Sequence, residues 1–106
     1  MRSLNHPALD DVSLTQVLYA LSDPERLRVV HELAGCGEAS CAALGGGRAK
    51  SSMSHHFRVL REAGIVRTRT DGPAHVNELR RKEVDKRFPG LLKAVLAAQE
   101  PAAKQG

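Results

Sequence analysis

Ser51, His55 and Arg58 recur at steps of four and three residues, with Lys50, Ser52 and Ser54 beside them. At 100° per residue, positions 51, 55 and 58 share one face of a helix, while Met53, Phe57 and Leu60 share the other. The outward face therefore carries small hydroxyls, an imidazole and a guanidinium, all of them hydrogen-bond donors without much bulk. Such a face can come close to an anionic polymer. Its arginine can read guanine O6 and N7 from the major groove. Serine and histidine on a helix can also simply face water, so the reading needs a second feature. His56 falls beside the apolar stripe, which suits a structural hydrogen bond better than a base contact.

Charge supplies that second feature. Positions 48–82 hold nine basic residues (Arg48, Lys50, Arg58, Arg61, Arg67, Arg69, Arg80, Arg81 and Lys82) against Glu62, Asp71 and Glu78. This segment carries +6 in a chain whose net charge is +4, so the remainder is slightly acidic. A basic stretch on a near-neutral body suits a phosphate backbone. Arg67 and Arg69 alternate to one side of an extended segment, and Gly72 permits a tight turn just after them. A ribbon of this kind can lay arginine along phosphate or into the minor groove.

The elements that must hold these residues follow from periodicity and capping. Ser13 and Gln16 have capping-box spacing, and Leu14, Val17, Leu18 and Leu21 fall on one helical face. Ser22 or Asp23 caps a second helix with Pro24 in its first turn and a stripe of Leu27, Val30 and Leu33–Ala34, and Gly35 and Gly37 end it. Residues 38–44 read as one or two helical turns stopped by Gly45-Gly46-Gly47. The glycines with Lys50-Ser51 suggest a phosphate loop, but Ala49 stands where that motif needs glycine and no strand precedes it. A helix runs from 50 or 51 to Ala63. The Asp71-Gly72 turn joins two strands, a short helix covers 81–87, and Pro89 suits the first turn of a last helix.

This order predicts a mainly α fold with a small β-hairpin, a winged helix-turn-helix. Residues 1–12 are expected as a flexible arm, 13–99 as the DNA-binding domain and 100–106 as a loose tail. Aromatics make up 3% of the chain, so the core must come from aliphatic side chains. Leu14, Val17 and Leu18 on the first helix and Leu91, Leu92, Val95 and Leu96 on the last are broad apolar stripes for a chain of 106 residues. They predict a homodimer through these two helices.

The runs "LSDPERLRVVHELA" (21–34) and "SSMSHHFRVLREAGIVRTRTDGP" (51–73) resemble the ArsR/SmtB family of winged-helix repressors. The similarity covers about residues 14–98. It implies a homodimer that binds a palindromic operator in double-stranded DNA and represses transcription until an inducer or metal releases it. The chain departs from the family's metal-sensing patterns. The arsenic-type pattern is Cys-x-Cys at the third helix, where only Cys41 stands after Ala39 and Ser40. The zinc-type pattern needs Asp-x-His and a later pair on the last helix, for which the chain offers Asp85 but no histidine. Cys36, Cys41 and His31 would make a metal site only by converging, so no metal and no cofactor is expected, and both cysteines are expected as small, half-buried residues.

No nucleophile–base spacing and no cofactor fingerprint marks an enzyme. The longest apolar runs, 17–21 and 94–98, are five residues each, far short of a membrane span. The expected partners are DNA and a second copy of the chain, in the cytoplasm and away from membranes. The inducer is not legible in the sequence. A protein-interaction module on the same fold, or a cysteine-based redox or metal sensor, are the alternatives.

Overall fold

Ser13 opens the first long helix by a reciprocal cap. Its Oγ accepts the Gln16 N–H at 3.2 Å, and Gln16 Oε1 accepts the Ser13 N–H at 2.8 Å. A computed structural model of the chain describes residues 6–99. Helices α1 (Leu14–Ala20) and α2 (Pro24–Cys36) are followed by strand β1 (Glu38–Ser40), α3 (Cys41–Gly45) and α4 (Lys50–Glu62). Strands β2 (Val66–Asp71) and β3 (Ala74–Leu79) then form the wing, and α5 (Arg81–Arg87) and α6 (Leu91–Gln99) complete the described chain. Asp23 caps α2, its Oδ2 accepting the Glu25 and Arg26 N–H groups at 2.8 and 3.1 Å.

The three described strands form an antiparallel sheet in the order β1-β3-β2. The hairpin keeps strict register from Val66↔Leu79 to Asp71↔Ala74. Residues 38–44 therefore do not form helical turns alone: 38–40 pair with β3, and only 41–45 coil. What fixes β1 is distant in sequence. Buried Asn77 accepts from Thr68 Oγ1 at 2.6 Å and donates to Ala39 O at 3.2 Å and Cys41 Sγ at 3.3 Å. Pro89 lies just outside the last helix, which begins at Leu91 after a turn through Gly90.

The core is aliphatic. Val17, Val29, Val30, Leu33, Leu44, Leu60, Ile65, Val66, Val84 and Leu92 are almost fully buried, with Met53 and Phe57 against them. Residues 1–5 and 100–106 lie outside the described residues. Residues 6–12, expected as part of a free arm, are instead strapped to the body. Leu9 and Val12 enter the core, Arg80 donates to Pro7 O at 2.7 Å, and Arg87 donates to Leu9 O and Val12 O. His6 Nε2 accepts the Thr68 N–H at 3.0 Å from the open edge of β2. Burial, with Arg80, Arg67 and Arg61 nearby, holds the His6 imidazole below its ordinary value of 6.5. Its contribution to stability is complete above that pH and declines as the pH falls towards the lower, folded value.

Arg26 joins three helices from inside. Its Nε donates to Ala20 O at 2.7 Å and its Nη2 to Tyr19 O at 3.2 Å, closing the end of α1. Its Nη1 lies 3.1 Å from His56 Nδ1 on α4. A guanidinium only donates, so Nδ1 accepts and the His56 ring proton sits on Nε2. Arg26→Met would leave two carbonyls and the imidazole without this partner. Loss of about 2–4 kcal/mol is expected, read as a lower urea midpoint at unchanged m-value. A loss below about 1 kcal/mol would contradict this role for Arg26.

Candidate nucleic-acid interface

Helix α4 carries the two faces that its spacing predicts. Met53, Phe57 and Leu60 are buried, while Lys50, Ser51, Ser52, Ser54, His55 and Arg58 are exposed. The turn before it passes through Gly46 (φ 55°) and Gly47 (φ 88°), left-handed values that glycine adopts at low cost. Arg48 ties this turn to α2, its Nε 2.7 Å from Glu25 Oε1. His56 is held inward by Arg26, so His55 is the imidazole that faces out.

The wing has a different electrostatic character. Gly72 makes its tip at φ 62°. Arg67 and Arg69 share the outer face of the sheet, but both are bound by carboxylates. Arg69 donates twice to Glu38, at 2.9 and 3.2 Å, reaching across β3. Arg67 donates to Glu83 at 3.0 Å and lies 4.0 Å from Glu78. Arg80, almost buried, makes a two-pronged pair with the same Glu83. Hydrogen bonds from Arg80 first, and from Arg67, hold the Glu83 carboxyl at about 2 despite some burial.

None of the ion pairs among the described residues involves Lys50, Arg58 or Arg61. The free positive charge beside the exposed face of α4 thus belongs to the helix, and the two wing arginines are already engaged. Arg61, which counts in the sequence only towards the basic stretch, joins this group. Its signal is the spacing 50, 54, 57, 61, a stripe along the flank of α4 that faces the wing turn.

The cysteines do not form a common site. Cys36 is exposed rather than half-buried, and its thiol donates to Glu38 O at 3.3 Å. Cys41 is half-buried and accepts from Asn77. Asp85 lies on α5, not the last helix, where its Oδ1 accepts the Gly90 N–H at 3.2 Å. Among the described residues no three of His, Cys, Asp and Glu are grouped to hold a metal ion, and no helix is long and apolar enough to cross a membrane.

The apolar seam is narrower than its sequence suggests. Leu14, Leu18 and Tyr19 stand out from α1 at 47%, 45% and 59% exposure, and Leu91, Val95 and Leu96 on α6 are half-buried. Val17 and Leu92 point into the subunit's own core and cannot line a surface. The helical period explains the split on α1: Val17 lies about 60° from Leu14 and 100° from Leu18, towards the side of buried Ala20.

Residues 21–69 match a helix-turn-helix domain family. The chain is 36% identical over 89 residues to the HTH-type transcriptional regulator YceK of Bacillus subtilis, covering 81% of this chain and 89% of that one. It is 34% identical over 74 residues to the arsenical resistance operon repressor of Staphylococcus xylosus, covering 68% and 70%. Its fold is similar, with a TM-score of 0.68 at 21% identity over 88% of this chain and 83% of that one, to a homodimeric winged helix-turn-helix DNA-binding domain from Mycobacterium bovis, a possible ArsR-family regulator.

Glu83 ties the base of the wing to α5, and its depressed carboxyl makes that tie pH-dependent. Its stabilisation is complete above pH 4.5 and disappears as the pH falls towards 2. Because Glu83 is well exposed, the effect at pH 7 should be below about 1 kcal/mol. In urea titrations the advantage of wild type over Glu83→Gln should shrink steadily between pH 4.5 and 2. An advantage that stays constant across that window would contradict this assignment.

Proposed function

The chain belongs to the ArsR family of helix-turn-helix transcriptional regulators, and from that premise we propose that it binds a palindromic operator in double-stranded DNA as a homodimer and represses transcription until a non-metal signal releases it. The observation that carries this reading is the exposed donor face of α4, bordered by Lys50 and Arg58, neither of which is held by a carboxylate among the described residues. Inserted into the major groove, that face presents Ser51, Ser52, Ser54 and His55 to bases and phosphates. Arg58 serves as the base-reading fork. Gly72 lets the wing tip approach the backbone. Arg67 and Arg69 contribute by exchanging Glu83 and Glu38 for phosphate, which costs little because surface ion pairs are individually weak.

The seam supports the second half of the reading. Leu14, Leu18 and Tyr19, beside Leu91, Val95 and Leu96, form an apolar surface that a second copy can cover. A two-fold pair sets its recognition helices about 34 Å apart, one turn of the duplex, so each copy reads the same half-site. In this reading residues 13–99 are the DNA-binding domain, 6–12 are its strap, and the chain performs no catalytic step.

Footprinting of the DNA upstream of the chain's own reading frame, across a range of salt, tests the proposal. With about 6–10 phosphates neutralised per dimer, log K should fall against log salt with a slope near −5 to −9. Arg58→Ala should relax preference at one base pair by about 1–3 kcal/mol. A flat salt response, or a variant with unchanged base preference, would refute the assignment. Leu18→Glu should turn the dimer into a monomer by sedimentation while leaving the circular dichroism spectrum intact. A Leu18→Glu protein that still sediments as a dimer would remove this seam from the interface.

A further inference from the structure

Between α3, the flank of α4 and the wing turn lies a half-open cleft of about 730 Å³. That volume suits a small organic molecule. Met53 and Phe57 supply apolar surface, Cys41 a thiol, and Pro73 and His75 reach in from the turn of the wing. Lys50, Arg48 and Arg61 bring cations, and among the described residues no aspartate or glutamate lines the cleft.

Arg48 is engaged by Glu25, but Arg61 has neither an ion pair nor a side-chain hydrogen bond among the described residues. It is nevertheless half-buried, and burial pushes its guanidinium below the usual value. Glu62 and Cys41 favour its charge without pairing with it directly, so a half-buried guanidinium is left at a cost that an anion from outside would offset. The planar fork suits a carboxylate, which it can grip through two parallel bonds.

We propose that this cleft binds a small carboxylate with an apolar body, with Arg61 as its anchor, and that its occupancy weakens DNA binding. The second half rests on the DNA-binding reading above. Lys50 and Ser54 belong at once to the cleft and to the face offered to DNA. A bound anion there lowers the positive potential that attracts phosphates. It also sits between recognition helix and wing, whose spacing decides whether both can meet one duplex. The competing occupant of Arg61 is a backbone phosphate of the duplex itself.

Phenylacetate is a suitable probe for the full chain, with acetate as the anion lacking the body and 2-phenylethanol as the body lacking the charge. Amide shifts of Cys41, Phe57 and His75 should move saturably with phenylacetate. Affinity should be at least about 10-fold weaker for both controls, and for phenylacetate on Arg61→Gln. Arg61→Lys, which keeps the charge but loses the fork, should fall between, and thermal melts identify any variant that fails to fold. On a 30-base-pair duplex, saturating phenylacetate should raise the Kd of wild type and reduce the salt slope by about 1, with no such change in Arg61→Gln.

Absence of saturable shifts, equal binding of 2-phenylethanol, or undiminished binding by folded Arg61→Gln would each overturn the site. Weaker duplex binding by Arg61→Gln, with no probe binding by wild type, would identify Arg61 as a backbone-phosphate contact and overturn it as well. If the probe binds through Arg61 but no duplex binds at any salt, the regulatory half falls together with the DNA reading, and the carboxylate site stands.

Discussion

A single buried guanidinium relates the surfaces on which a DNA-binding role depends. Arg26 closes the carbonyl end of α1 through Ala20 and Tyr19, and it fixes α4 through His56. The exposed side of α1 carries Leu14, Leu18 and Tyr19, and the exposed side of α4 carries Ser51, His55 and Arg58. The rotation of one helix about its axis is thereby tied to the rotation of the other. An aliphatic core alone gives close packing, but its contacts are non-directional and tolerate small rotations. Hydrogen bonds to a planar fork do not tolerate them, because donor and acceptor must stay aligned. Two adjacent histidines on α4 consequently take opposite parts: His56 accepts from Arg26 inside, while His55 is left facing out.

The positive charge is sorted as deliberately as the apolar surface. Along the outer sheet face, Arg67 and Arg69 alternate with Glu78 and Glu38 across the strands, and Glu83 bridges from α5. Such a ladder brings that face close to neutrality and protects the edge strand β2 against pairing with another chain. On α4 the opposite holds, since Lys50, Arg58 and Arg61 have no ion-pair partner among the described residues. A count of arginines in the sequence gives the two regions equal standing. The fold separates them: the register sets Arg67 against Glu78, Glu83 reaches Arg67 from α5, and Glu38 reaches Arg69 from β1.

What could be read from the sequence was local. The Ser13 cap, the Asp23-Pro24 start, the two faces of α4 and the Asp71-Gly72 hairpin all depend on neighbours within four residues. Each recurs in the fold as its spacing indicates. What could not be read depends on partners far along the chain. Strand β1 has three residues and no alternation of its own, and it exists because β3 lies beside it with Asn77 bonded to Ala39. Residues 6–12 look like a polar arm because the groups that hold them, Thr68, Arg80 and Arg87, lie more than 60 residues away. The inward turn of Val17 and Leu92 was hidden for a related reason. A helical stripe of leucine and valine shows which residues avoid water, but it does not divide them between the subunit's own core and a partner.

That division bears on why a chain this small would pair. With three aromatic residues in all, the interior is filled by valine, leucine and alanine, which bury less area per residue than aromatic side chains do. Small domains also bury a lower fraction of their surface than large ones. Leu14, Leu18 and Tyr19 stand out from the helix whose Val17 and Ala20 enter the core, which leaves apolar area on α1 open to water. Arg26 stacks on Tyr19 from the buried side, its guanidinium 5.1 Å from the ring centre. The same guanidinium thus meets both the exposed Tyr19 of α1 and the inward His56 of α4.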